Sequence, residues 1–448
     1  MKSGLHLGQT TPVVLAKNPP LGAREFAALM ETFVPFASPL HVAVAVSGGP
    51  DSMALVFCVK RWLDEKTEVG SITAFIVDHD LRDASAAEAE QVRKTLMKIG
   101  IPAEILRWQH APVTARLHET ARTARRRLLT EACRRRAIPD LLLAHHSDDQ
   151  AETILMRLAK GSGVDGLAGM RAKNASGGVR ILRPLLGLAR ERLAATCVAA
   201  KLPFVSDPTN VSQKFARGRL RRVLPLLAAE GLTIERLVDL GARAADVKAA
   251  LDFAVAALLR VATKFDDAAV IRIDLEHLRS APHAIAERAL GMCLQTIHRQ
   301  DYPPAHAALT RLRAALCADD EASACTLQGC LIGKNRAHAL IMREYSAIED
   351  MPTIRPGESV MWDQRWHVTL AAGAQDSLTI HPLGNPPHEV LDRLAPGLRK
   401  QIPQGRVRAG LPALWLNGAL ALIPALPRSA YSAVAQAAPA ASWPPVPG

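Results

Sequence analysis

Apolar residues along this chain alternate between two periods. HVAVAV, from His41, is a short β-branched run, and DSMALVFCVKRWLDE then places Leu55, Val56, Val59 and Leu63 at helical spacing. SITAFIVD predicts a second strand, SAAEAEQVRKTLMKIG a second helix closed by Gly100, and AEILRW a third strand. An Arg-rich helix is expected over roughly Ala115 to Arg136, DLLLAHH reads as a fourth strand, Asp148 to Lys160 as a helix, and VRILRPLL as a fifth strand. Repeated β-α-β units with continuously apolar strands predict an α/β fold, a doubly wound parallel sheet covered by helices on both faces.

After about Phe215 the pattern changes to long runs of helix formers, and beyond Asp350 Pro, Gly and Trp rise among short strand-like runs such as WHVTLAA. The expected organisation is an N-terminal extension over 1–36 with a short helix in AREFAALMETF, an α/β domain over 37–215, a helical domain over 216–345 and a small C-terminal α+β domain over 350–448.

Composition narrows the class. Of 448 residues 49% are hydrophobic and only 4% aromatic, which fits an ordered, helix-rich protein, and the net charge of +12 fits either a basic proteome or a polyanionic partner such as nucleic acid. The seven cysteines are scattered with no C-x-x-C, which argues against zinc, iron–sulfur and redox-pair chemistry. The first twenty residues lack a signal-peptide core, and WLNGALALIPAL is too short to span a bilayer; a cytoplasmic protein without membrane contact is expected.

The candidate chemistry starts where the first strand stops, at SGGPDS. Gly48 and Gly49 let the backbone approach an anion, Pro50 suits the first helical position, and the helix-start amides with the hydroxyls of Ser47 and Ser52 make a phosphate cradle. Asp51 inside that cradle calls for a Mg²⁺ between it and phosphate. A plain strand–helix turn is the alternative. In AHHSDDQAET, Ser147 with Gln150 fits a capping box, and Ile154, Leu155 and Leu158 would face the sheet. That sets His145 and His146 at the strand's carboxyl end, while Asp149 and Glu152 share a helix face as cation ligands or as ordinary first-turn acids. Asp78 and His79 end the second strand on the same edge. Arg122, Arg125 and Arg126 form one stripe of a helix with eight arginines in its neighbourhood, a solvated face or a surface for RNA phosphates. The G-x-G-x-x-G at Gly161–Gly166 follows a helix, not a strand, and is discounted as a dinucleotide site.

SGGPDS resembles the PP-loop signature of the ATP pyrophosphatase superfamily, whose members split ATP between its α- and β-phosphates and pass AMP to a substrate oxygen. VDHDLRDASAAEAEQV, the AHHSDDQAET block, ILRPLL and SDPTNVSQKFARGRLRRVLPLL resemble the tRNA(Ile)-lysidine synthase family in blocks and in order, over approximately Val42 to Leu227. The resemblance implies ATP with Mg²⁺, L-lysine and a CAU-anticodon tRNA(Ile), lysine being joined to C2 of the wobble cytidine through an adenylated intermediate. It implies ATP contacts from Ser47 to Ser52 and from Asp78 and His79, and catalytic roles for Asp51, Arg122 and Asp149. Mg²⁺ would lie near Asp51 with Asp149 or Glu152. Substrate contacts would come from His145, His146, Asp149, Glu152, Asn210, Arg217 and Arg221, with Gly218 standing where the family has asparagine. A homodimer is compatible with this reading. The closest rival is a PP-loop tRNA thiolase, which needs reactive cysteines near the loop, where only Cys58 stands; a small-metabolite amidotransferase and a non-catalytic RNA-binding protein are further alternatives.

Overall fold

The computed structural model describes residues 18–66, 70–80, 85–110, 117–205, 216–299, 302–318, 324–394, 398–403, 405–424 and 435–439. The chain divides into two compact units, Met1–Lys248 and Ala249–Gly448.

In the first unit, α1 (Ala23–Glu31) precedes β1 (His41–Ala45), α2 (Pro50–Asp64), β2 (Ser71–Asp78), α3 (Ser85–Lys98), β3 (Ala103–Arg107) and α4 (Leu117–Arg135). Then come β4 (Asp140–Leu142), α5 (Ser147–Ala159), α6 (Val164–Leu167), β5 (Lys173–Ser176), β6 (Val179–Leu182), α7 (Arg190–Ala199), α8 (Ala216–Ala229) and the part of α9 (Ile234–Ala262) up to Lys248. The strands form one sheet in the order β3-β2-β1-β4-β6-β5, parallel except for the β5 edge. The alternation of a strand sorts its side chains between two cores. Val42 and Val44 pack with α2, α3 and α7 on one face, and Ala43, Ala45 and Phe75 pack with Leu129 and Cys133 of α4 on the other. The doubly wound sheet is therefore present. The antiparallel β5 escaped the sequence reading because KNAS has no apolar run to mark it.

Strand order runs outward from β1 to β2 and β3 on one side and to β4 and β6 on the other. That reversal opens a crevice at the carboxyl ends of β1 and β4, where open α/β sheets bind ligands. The turns into α2 and α5 flank it.

Residues 1–36 read as an extension, yet Phe26 and Met30 of α1 are fully buried in the α2 face of the core. The apolar side of a short helix does not say which surface will cover it. The next helix boundary also shifts. His146, not Ser147, is the N-cap of α5, and its backbone N–H donates to Asp149 Oδ2 at 3.3 Å. Gln150 instead exchanges hydrogen bonds with the backbone of Met170, at 2.7 and 3.0 Å. Ile154 and Leu155 pack against Leu224 and Leu237 of α8 and α9 rather than the sheet, and Leu158 is half exposed.

In the second unit the stretch up to 345 is not helical throughout. Strands β7 (Thr263–Phe265), β8 (Ile271–Asp274), β9 (Ala324–Leu327), β10 (Cys330–Lys334) and β11 (His338–Arg343) form an antiparallel sheet. Its core is shared with the helix His283–His298. These strands are three to six residues long and sit among helix formers, so windowed periodicity passes over them. Two small antiparallel sheets occupy 353–439, built around Trp362, Trp366 and Leu414.

Candidate active site

The glycine loop joins β1 to α2. Gly48 holds φ +85°, a left-handed conformation, and a Cβ there would lie 2.5 Å from Val92 Cγ2. Gly48→Ala is accordingly expected to destabilise the first unit by about 1–3 kcal/mol, as a lowered midpoint in thermal unfolding. Gly49 is the N-cap of α2 and Pro50 its first residue. Ser52, buried, donates to Gly49 O at 3.0 Å and accepts from Ser47 N–H at 3.2 Å, so the loop is tied to its own helix. Val205 N–H donates to Gly48 O at 2.8 Å and pins it from outside. The first-turn amides of α2, which have no intrahelical acceptors, point to where an anion would sit.

Beside the loop stands a buried imidazole. His146 is 3% exposed, with Nε2 3.7 Å from Asp51 Oδ2 and 3.4 Å from Asp149 Oδ2, and Nδ1 3.5 Å from Asp148 Oδ1. Burial opposes its charge, but the carboxylates of Asp148, Asp51 and Asp149 outweigh it and push the pKa up to about 10. His146 is thus a fixed cation at neutral pH, gathering three acids at the crevice. Arg190 Nε lies 3.7 Å from the other Asp51 oxygen, Oδ1. That oxygen is buried and accepts no hydrogen bond.

A cavity of about 320 Å³ opens next to this cluster. Its polar wall is His146, Asp148, Glu152, Arg190 and Arg221; its apolar wall includes Leu224, Pro225 and Ile234. Glu152 is fully buried and paired with Arg221, Nε to Oε1 at 2.5 Å. Burial works against the Arg221 charge, but Glu152, then Asp149 and Asp148, hold its pKa above the ordinary value.

The other residues singled out from the sequence divide. Asp78 is buried and accepts from Ser85 Oγ and from Asp80 N–H, so its carboxylate holds the turn into α3. His79 lies edge-on to Trp108, ring centroids 6.2 Å apart, and burial followed by the charge of Arg125 lowers its pKa. His145 accepts a hydrogen bond at Nδ1 from Arg183 Nε, 3.2 Å. Burial drives its pKa down to about 3; Asp149, the next-largest influence, pulls it up, and the charges of Arg183, Arg125 and Arg122 add to the lowering. On α4, Arg122 is exposed, Arg125 half-buried, and Arg126 donates to Ser176 Oγ at 3.1 Å. Asp149 is not among the residues lining the cavity. Asn210 lies outside the described residues, as does the side chain of Arg217.

Asp148, Arg183, Arg190 and the stacked pair Trp108–His110, centroids 3.8 Å apart, were missed. Asp148 stood beside the acids that were chosen, and Arg183 stood in ILRPLL at the end of a strand already placed. Arg190 and Trp108 carried no local signal.

A glycine loop capping a helix at the carboxyl end of β1, with an aspartate inside it, defines a PP-loop ATP-using domain, and the sequence pattern of the PP-loop domain family matches residues 22–227. The tRNA(Ile)-lysidine synthase of Methylobacterium nodulans is 40% identical over 323 residues, covering 70% of this chain and 93% of that protein. That of the Wolbachia symbiont of Brugia malayi is 34% identical over 344 residues, covering 76% and 80%. The chain belongs to the tRNA(Ile)-lysidine synthase family of ATP-dependent ligases. Among solved structures, the U34-tRNA thiolase NcsA of Methanococcus maripaludis aligns at a TM-score of 0.42 with 16% identity, covering 49% of this chain and 78% of that one. Among the described residues no helix is long and apolar enough to cross a membrane.

Proposed function

We propose that this chain transfers AMP from ATP to the C2 oxygen of the wobble cytidine in a CAU-anticodon tRNA(Ile), releasing pyrophosphate, and that a lysine amine then displaces AMP to form lysidine. The observation that carries this reading is that a phosphate loop and a cavity suited to lysine share one edge of the sheet. The apolar wall of Leu224, Pro225 and Ile234 fits the methylene stem, Asp148 and Glu152 suit an ammonium, and Arg190 and Arg221 suit a carboxylate.

ATP phosphates sit on the amides at the start of α2, with the base toward His79 and Trp108. Asp51 Oδ1, buried and without a hydrogen-bond donor, would hold a Mg²⁺ beside the phosphates. Among the described residues no group of three acids, histidines or cysteines stands ready to hold a metal alone. When bound, the ion neutralises charge on the departing pyrophosphate. Arg122 stabilises negative charge as AMP leaves. His146, already protonated, cannot take the amine proton; it orients Asp51 and Asp148.

The thiolase reading is disfavoured by the thiols themselves. Burial pushes Cys58 up to about 11 and Cys197 up to about 12, and Cys197 donates to Pro50 O at 3.2 Å, so neither offers a thiolate near the loop.

Incubation with ATP, labelled lysine and total tRNA, followed by nucleoside analysis, tests the proposal. Lysidine should form only with all three present; lysine-independent ATP cleavage, with sulfur entering the tRNA once a sulfide donor is added, would replace it by the thiolase reading. Glu152→Gln should raise KM for lysine about tenfold or more with a smaller change in kcat, measured by lysine titration at saturating ATP and tRNA.

A further inference from the structure

Arg190 stands where the glycine loop and the cavity meet. It is the first residue of α7, it lies in the polar wall of the cavity, and its Nε is 3.7 Å from Asp51 Oδ1. The backbone here is held by α7 and, two residues earlier, by Leu188 O, which accepts from Ser147 N–H at 3.0 Å. The side chain is held less firmly. It is 41% exposed, and 3.7 Å is too long for a hydrogen bond.

Asp51 thus faces two cations of different kinds. His146 approaches Oδ2 at 3.7 Å, is 3% exposed and has Asp148 and Asp149 as further counter-charges, so it stays in place. Arg190 approaches Oδ1, and among the described residues no other carboxylate lies at ion-pair distance from it. An exposed pair of this kind contributes little and exchanges readily. Oδ1 is also the oxygen that would hold Mg²⁺ beside the phosphates, and a divalent ion there repels a guanidinium at this range. The other arginine of the cavity wall is committed elsewhere: Arg221 is paired with the fully buried Glu152.

We propose that Arg190 is a positioning residue that couples the two halves of the site. Without nucleotide it sits on Asp51; it is displaced when ATP binds with Mg²⁺, and it then serves the carboxylate of the amino acid in the cavity. Nucleotide and amino acid therefore bind with positive cooperativity, because the cavity is fully competent only once Arg190 has left Asp51. The inference rests on the proposed function for the identity of the two ligands. An amine without a carboxylate gains nothing from the release of Arg190, so the same residue discriminates amino acids from simple diamines.

The test is lysine binding by equilibrium dialysis without tRNA, in the presence and absence of Mg²⁺ and the uncleavable analogue α,β-methylene-ATP. In the parent the nucleotide should tighten lysine about fivefold or more, and lysine should tighten the nucleotide by the same factor. Cadaverine, which is lysine without its carboxylate, should show no such gain. Arg190→Gln should bind lysine with the nucleotide-free parent's affinity in both states. Asp51→Asn should bind lysine about threefold tighter than the parent without any nucleotide, because Arg190 is already released; a merely structural role for Asp51 would weaken lysine instead and count against the coupling. Should Asp51→Asn fail to fold, Arg190→Gln carries the test, since its side chain is largely exposed. Undiminished coupling in Arg190→Gln overturns the proposal, as does a loss of nucleotide affinity by that variant in the absence of lysine, which would put Arg190 on phosphate. A parent that binds lysine equally in both states overturns the coupling and leaves the cavity to lysine. A parent that binds no lysine in either state overturns the lysine reading of the cavity, and the coupling with it.

Discussion

Replacing Asp51 with alanine is expected to slow lysine incorporation into tRNA by about 10³-fold or more while leaving the fold in place. Asp51 is the acid within the glycine loop, and its Oδ1 is buried without a hydrogen-bond donor. On the proposed reading, removing it deletes the group that would hold Mg²⁺ beside the departing pyrophosphate. His146 keeps Asp148 and Asp149 as counter-charges in the variant, so the thermal midpoint should stay within about 4 °C of the parent. Rate and midpoint should therefore separate. Incorporation at the parental rate by a folded Asp51→Ala protein would remove the loop from the chemistry.

The second large effect concerns His146. Its folded pKa of about 10 lies above the ordinary value of 6.5, so its ion pairs stabilise the native state fully below pH 6.5. That stabilisation is lost progressively as pH rises from 6.5 through 10. Taking the buried imidazolium away leaves three half-buried carboxylates without their shared counter-charge, which costs about 3 kcal/mol. His146→Gln should therefore lower the midpoint of the first unit at pH 7 by about 10 °C. It should also flatten the fall in midpoint between pH 7 and 10 that the parent displays. A pH series of thermal scans on both proteins checks this, and parallel curves would show that His146 is neutral in the fold.

Both effects arise at the crevice, and they differ in how far the sequence foretold them. Asp51 was visible because SGGPDS is contiguous: two glycines, a proline at the first helical position and an acid announce a phosphate turn by themselves. The strands β1 to β4 were visible for a similar reason, being apolar runs bounded by turn residues. His146 was visible only as a residue at a strand end, where packing and function were equally good accounts. Its cationic state depends on Asp51, nearly a hundred positions away, meeting Asp148 and Asp149 across the sheet edge. Glu152 was read with Asp149 as a ligand for Mg²⁺ or a substrate ammonium, or as an ordinary first-turn acid; its partner Arg221 lies on a helix that local spacing could not bring to it.

Periodicity and turn chemistry, which act within a dozen residues, were enough to determine the layered α/β domain and the glycine loop at the carboxyl edge of its sheet. Tertiary structure alone decided which charges meet: Glu152 with Arg221, and His146 with three acids. The physical reason is range. Backbone preferences are written in neighbouring residues, whereas the ionisation and role of a buried group depend on partners that only the closed sheet brings within a few ångströms.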